Sequence, residues 1–390
     1  MSITKVYSSQ FWLLCTSSLL FFASFNMLIP ELPEYLTNLG GAEYKGLIIS
    51  LFTLTAMLSR PFSGKLTDKI GRVPVIMVGS IVCFGCSLVY PLVTGVAGFL
   101  LLRLIHGFST GFTPTGTAAY LSDVIPAERR GEAMGLFGTF GSLGMAGGPA
   151  LGGALGNSFG LEAVFYCSSA FGLVSVMILM GIKETLNERH KYGFGLLKVG
   201  KEDLFEPRVI APCVVIVLLC FSYGTAITLI PDFGEFVGIK NKGLVLTYMT
   251  IASLFIRLVG GKASDRYGRQ PVLLVCAFFI VVSMLVIGFA QTPLQLIIGF
   301  TLYGLANGTS SPTLIAWATD LSDPKFRGRG VASVYIFMEL GIGVGALLSG
   351  TIYGNDSSRF ILVFGICAAL AGLAVLYLLF KRRESQRVTA

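Results

Sequence analysis

The residues of this chain that could do chemistry are few and charged, and they stand where charge is costly. Glu31, Glu34, Arg60, Arg103, His106, Arg257 and Glu339 each lie within or at the end of a long run of Leu, Val, Phe, Ile and Gly. A carboxylate held away from water must find a partner or take up a proton, so such a group is a candidate proton carrier. Glu339 is the clearest case, about 12 Å along its run by helical rise. Arg60 lies about 12 Å along another run from Asp68 by the same measure and is its expected partner. That pair reads either as a structural bridge or as a bridge that exchanges its proton. Glu31 and Glu34 are three apart and share a helical face, as an outward acidic rim or as a proton- or cation-binding pair. Arg103 and His106 share a face too. The arginine requires a cavity or a partner, and an imidazole with a pKa near 6.5 keeps proton transfer open beside a core role. Two histidines and no clustered ligands supply neither a nucleophile–base set nor a metal site. No enzyme activity, cofactor or metal is expected.

The elements that place these groups are membrane helices. The 390 residues are 54% hydrophobic and 13% charged, with a mean hydropathy of +0.76, against the roughly 25% charge of soluble domains. Apolar runs near the length a bilayer of roughly 30 Å demands recur twelve times. They cover about 11–36, 46–66, 73–93, 97–121, 132–155, 162–182, 209–231, 243–263, 271–290, 295–319, 330–353 and 360–380. The first is too long, and too poor in a cleavage site, to be a removable signal peptide.

The chain is one half written twice. Gly64-Lys65-Leu66-Thr67-Asp68-Lys69-Ile70-Gly71-Arg72-Val73-Pro74 returns 197 positions later as Gly261-Lys262-Ala263-Ser264-Asp265-Arg266-Tyr267-Gly268-Arg269-Gln270-Pro271. The same offset carries Arg60 onto Arg257, Asp123 onto Asp320 and Arg130-Gly131 onto Arg327-Gly328. A match in one orientation over so many separated positions is the mark of a parallel-repeat transporter. Residues 1–183 form one half, 184–208 a polar linker at the cytoplasmic face, and 209–390 the other half with a short tail. His190 in the linker reads as a solvated residue.

The net charge of +8 invites a nucleic-acid partner, and its distribution refuses one. With the first span running outward, 22 Lys and Arg fall on one side, four (Lys45, Lys240, Lys242, Arg359) on the other, and three within spans. Both termini are therefore placed in the cytoplasm of a plasma (inner) membrane protein, and the bilayer is the partner the basic charge reports. All eight cysteines lie in apolar spans. Cys83-Phe-Gly-Cys86 has redox spacing without a partner pair, and reads as buried small residues.

Spans 1, 4, 7 and 10 are related by the repeat. Asn26, Arg103, His106, Thr110, Tyr223, Thr228, Tyr303, Asn307 and Ser310 are expected to line one central substrate cavity. Span 5 is glycine-rich, with Gly148 and Pro149 at its centre. Small residues at four-residue steps admit a neighbouring helix, expected here to be span 8 of the other half.

These stretches resemble the major facilitator superfamily along the whole chain. Gly64–Arg72 and its second copy Gly261–Arg269 are similar to that family's loop between spans 2 and 3. Gly135, Gly144, Gly148, Pro149, Gly152 and Gly153 match every fixed position of its span-5 antiporter motif. Pro30-x-x-Pro33 is similar to the first-span motif of twelve-helix drug:proton antiporters, and Arg103-x-x-His106-Gly107 to the span-4 motif, with His in place of the usual Gln. The resemblance implies an all-α polytopic membrane protein: twelve transmembrane helices in two pseudo-symmetric six-helix bundles. It implies a proton-coupled exporter of small amphiphilic compounds that works by alternating access as a monomer, with substrate and protons as its partners. A metallophore, sugar or lipid-like metabolite exporter, or a nutrient importer, is the alternative. It suggests that Arg72 pairs with Asp123, with Asp265, Arg269 and Asp320 as the second set. These groups, with Asp68, Gly148 and Pro149, are the expected gating residues, holding the halves together at the inner mouth.

Overall fold

The structure, a computed structural model, describes residues 7–125, 130–186, 200, 205–322 and 327–389. It is built of helices and divides into two compact units, Met1–Gly40 with Leu54–Lys201 and Gly41–Thr53 with Glu202–Ala390. Most of the expected linker, including His190, lies outside the described residues.

In the first unit, Ser8 caps α1 (Ser9–Leu28) by accepting from the Phe11 amide. Span 1 then breaks around Pro30, which has no amide hydrogen to continue the ladder, and restarts as α2 (Leu32–Asn38) with Pro33 in its first turn. After a 3₁₀ turn, α3 (Lys45–Lys69) runs to the repeated loop, and α4 (Arg72–Val89) follows it. Span 4 consists of α5 (Val96–His106) and α6 (Phe108–Val124), meeting at Gly107. Spans 5 and 6 are α7 (Arg130–Phe159) and α8 (Leu161–Met180). The second unit carries α9 (Ile210–Phe236), α10 (Gly243–Tyr267), α11 (Arg269–Gly288), α12 (Pro293–Leu321), α13 (Arg327–Tyr353) and α14 (Phe360–Thr389). Twelve spans result. Among the described residues, nine of them are long and apolar enough to cross a membrane by composition alone. The glycine-rich α7 and the hydroxyl-rich α12 are not among those nine.

The repeat fixes the packing. In the first unit α1 packs on α7 and α8, and α4 on α6 and α8; in the second, α9 packs on α13 and α14, and α11 on α12 and α14. These are the same neighbours under the 197-residue shift. The α1–α7 contact is close because α7 presents glycines: a Cβ on Gly148 would stand 2.7 Å from the Ala23 carbonyl oxygen, and one on Gly152 2.1 Å from that of Met27. In the second unit a Cβ on Gly345 of α13 would stand 2.2 Å from the Phe221 carbonyl oxygen of α9. Gly144, Gly148 and Gly152 are spent on span 1, inside their own unit. Hydroxyls tie α1 to α8, with Ser24 Oγ donating to the Ser168 carbonyl at 2.7 Å and Ser17 Oγ 2.9 Å from Ser175 Oγ. Such bonds replace a hydrophobic drive that lipid does not supply between helices.

One feature departs from a simple cut at the linker. The first nine residues of α3, Lys45 to Thr53, belong to the second unit and its remainder to the first.

Candidate functional site

The repeated loop turns at Gly71, where φ is +140°, a conformation that suits glycine. A Cβ there would also stand 2.4 Å from Glu184 Oε2. The turn delivers Arg72 to the start of α4, where its Nε donates to Asp123 Oδ2 at 3.0 Å and its Nη1 to Asp68 Oδ1 at 3.1 Å and to the Thr67 carbonyl. In the second unit Arg269 Nε donates to Asp320 at 2.9 Å and Nη1 to Asp265 and Ser264. Both expected sets are formed. Each of these bonds closes within its own unit and braces one span-4-type helix against the loop of the same half.

Glu184, at the end of span 6, was not singled out from the sequence. It accepts from the Arg72 and Val73 amides, both at 3.0 Å, capping α4 in place of a local residue. A carboxylate there is favoured by ~0.3–1 kcal/mol beyond its hydrogen bonds. We expect Asp123→Asn to weaken the first set by about 1 kcal/mol. A lowered thermal midpoint in detergent, with Thr185→Ala giving a smaller loss, checks this. A midpoint unchanged in Asp123→Asn would deny Arg72 its bracing role. Thr185 is the control because its hydroxyl donates to the same Asp123 oxygen at 2.7 Å.

In the first unit Arg103 is 2% and His106 0% exposed. Arg103 Nη1 donates to the Tyr90 hydroxyl at 3.3 Å, and that hydroxyl lies 3.3 Å from His106 Nδ1. Phe165 stacks on Tyr90 at 5.2 Å, and Tyr35 donates to the Tyr90 carbonyl at 2.7 Å. His106 is therefore an enclosed partner of Tyr90. His106→Ala removes that partner and should cost about 1–3 kcal/mol of stability, most of it recovered by His106→Gln. Equal melting of the two variants would contradict this.

Other cavity candidates hydrogen-bond to carbonyls along their own spans. Asn26 donates to the Phe22 carbonyl at 2.8 Å, Thr110 to Gly107 at 3.3 Å, Thr228 to Gly224 at 2.8 Å and Ser310 to Asn307 at 3.3 Å. Tyr303 is fully enclosed, while Tyr223 and Asn307 are half-buried. The two acids of the span-1 end also separate. Glu31 is 5% exposed and lies against Gly156, whose Cβ would come 2.8 Å from its Oε2; Glu34 is exposed. The two acids do not share one environment: Glu31 lies against α7 and Glu34 is open.

Glu339 of α13 is 7% exposed. Tyr223 of α9 lies within electrostatic reach of both Glu339 and Arg257 of α10. Arg60 is half-buried and belongs to the first unit, Glu339 to the second. Arg257, the repeat copy of Arg60, is a cation of the second unit within reach of Tyr223 and is itself exposed. An ion pair of the same unit was also missed: Lys45 Nζ stands 2.6 Å from Asp232 Oδ1. The signal for it was Lys45 and Lys242, basic residues 197 apart on the side that carries few.

Two half-size bundles with matching helix neighbours, a glycine-turned arginine node in each, and ionisable groups buried in apolar spans define a membrane transporter built from a parallel repeat. The chain belongs to the Major Facilitator Superfamily, whose family model matches residues 14–256 and 213–390. It is 28% identical over 349 residues to the multi-drug resistance efflux pump PmrA of Streptococcus pneumoniae, covering 85% of this chain and 86% of the relative. It is 26% identical over 381 residues to the multidrug resistance protein MdtG of Escherichia fergusonii, covering 94% and 93%. Among solved structures, the human organic anion transporter MFSD10 (TETRAN) superposes with a TM-score of 0.73 at 19% identity over 94% of this chain and 98% of that one. A D-xylose–proton symporter gives 0.77 at 15% identity over 94% and 96%. These two likenesses carry the fold. The protein is an integral membrane transporter acting on small molecules.

Proposed function

We propose that the protein exports small amphiphilic compounds by alternating access, driven by protons entering the cell through the plasma (inner) membrane. The observation that carries the proposal is Glu339, a carboxylate buried within α13 at a depth where water is scarce. An acid there changes charge only when a proton arrives or leaves, and that change alters its attraction to any nearby cation. Tyr223 and Arg257 supply the polar setting within the same unit. The export direction rests on the span-5 glycines and on the multidrug efflux relatives. The orientation, with both termini cytoplasmic, rests on the 22-to-four split of basic residues. The monomer is the transporting unit, since each chain holds both halves of the repeat.

The test uses purified protein in proteoliposomes with an acidic lumen. A lipophilic cationic dye is expected to accumulate inside against its gradient, and to leave when a protonophore collapses the pH difference. Accumulation that persists after the collapse would refute proton coupling; movement of the dye only down its own gradient would refute active transport.

A further inference from the structure

We propose that Asp232 is a second proton-binding carboxylate, held charged by Lys45 and neutralised from the face that carries the 1–2 and 7–8 loops. The proposal deepens the proton-coupled reading and rests on it. Asp232 lies near the end of α9, and its Oδ1 accepts from Lys45 Nζ at 2.6 Å, the two side chains being 14% and 11% exposed. Oδ2 is buried and accepts no hydrogen bond from the described residues. Enclosed carboxylate oxygens are ordinarily satisfied, and one that receives no donor is where a proton binds. The step balances simply. A hydronium ion from the aqueous side gives its proton to Oδ2, leaving water and a neutral carboxyl, while Lys45 remains an ammonium ion.

The charged and titratable neighbours single out Asp232. Lys242 and Glu235 lie within its reach and are bridged to each other at 3.3 Å, with Glu235 70% exposed. Tyr353 faces it from α13. Beyond Tyr353, Asp356 is bridged to Arg359 at 3.2 Å. The Ser358 hydroxyl and amide donate to Asp356 and hold its carboxyl below the usual carboxylate range, so it stays charged. Lys45 and Lys242 are repeat copies, yet Lys45 is tied to an enclosed acid and Lys242 to an open one. Water screens the open pair, so the enclosed pair is the one whose strength changes most with a proton.

What the pair holds is the start of α3. Cβ atoms on Gly46 and Gly350 would stand 2.7 Å from the Ala346 carbonyl oxygen and 2.5 Å from the Gly46 nitrogen, so α3 and α13 touch backbone to backbone. Asn355 Nδ2 adds a hydrogen bond to the Ala42 carbonyl at 2.9 Å. A helix that begins in one unit and ends in the other is tied at its beginning by an ion pair, and protonating Asp232 loosens that tie.

Hydrogen–deuterium exchange of residues 41–53 in the purified full chain tests this, after correction for the intrinsic pH dependence of exchange. In wild-type protein the segment should exchange at least about ten-fold faster at pH 5 than at pH 8. Asp232→Asn should exchange fast at both, as should Lys45→Gln, and the charge-reversed pair Lys45→Asp with Asp232→Lys should restore slow exchange at pH 8. Equal protection of wild type at the two pH values, or wild-type protection in both single variants, overturns the proposal. Glu339→Gln should keep the wild-type response of this segment. A wild-type protein that shows this response but no proton-driven efflux would sink the coupling reading and leave the Asp232 site standing.

Discussion

Glu339→Gln is expected to lower proton-driven dye accumulation at least about ten-fold, to the level of liposomes without protein, while the variant folds and binds the dye with near wild-type affinity. Glutamine keeps the size and polarity of the side chain and removes only the charge that a proton would neutralise. If Glu339 served only to brace α13, a neutral amide with the same hydrogen-bonding reach would cost at most about 1–3 kcal/mol of stability and leave coupling intact. The two roles separate cleanly. Full uphill accumulation by Glu339→Gln would remove this residue from the mechanism, and a lost thermal transition would assign it to the fold.

Gly148→Leu should markedly destabilise the first unit. A Cβ at this position already stands 2.7 Å from the Ala23 carbonyl oxygen and 3.2 Å from Asn26 Cβ, and the backbone of α1 cannot yield as a flexible side chain would. Overpacking of this kind costs about 1–3 kcal/mol at ordinary core sites; against backbone, the upper end is the expectation. Gly147→Leu is the matched control, because a Cβ there meets nothing within 4 Å. The experiment compares the two by yield of monodisperse protein and by thermal midpoint. Similar stability of both would contradict the α1–α7 packing; a Gly148→Leu protein that is stable but inactive would return the glycine to a gating role.

The parts of the fold that were legible in the sequence are those written twice. Arg72–Asp123 and Arg269–Asp320 each span 51 positions, and two copies of one spacing point to one contact. The twelve spans were legible because a bilayer imposes length on all of them and strong apolarity on most. What was not legible depends on which neighbour a side chain meets. Glu31 is enclosed because Gly156 leaves room beside it, and nothing in the local sequence of Glu31 says so. Tyr303 and His106 stand on helices that looked cavity-lining, yet each faces inward within its own unit. Glu184 caps a helix more than 110 positions away, and a single long-range contact leaves no periodic trace. Lys45 stands just outside the apolar run at 46–66 and so reads as a loop charge, although α3 begins at Lys45 itself.

Substrate and protons are expected to move in opposite directions through one carrier, and the most direct measurement of this starts without any imposed pH difference. Proteoliposomes are loaded with a transported dye and a pH indicator, then diluted into dye-free buffer. Dye leaving down its gradient should drive protons inward and acidify the lumen, with the acidification lost in Glu339→Gln. Dye efflux through the wild-type protein with no change in lumenal pH would contradict coupling and leave a uniporter.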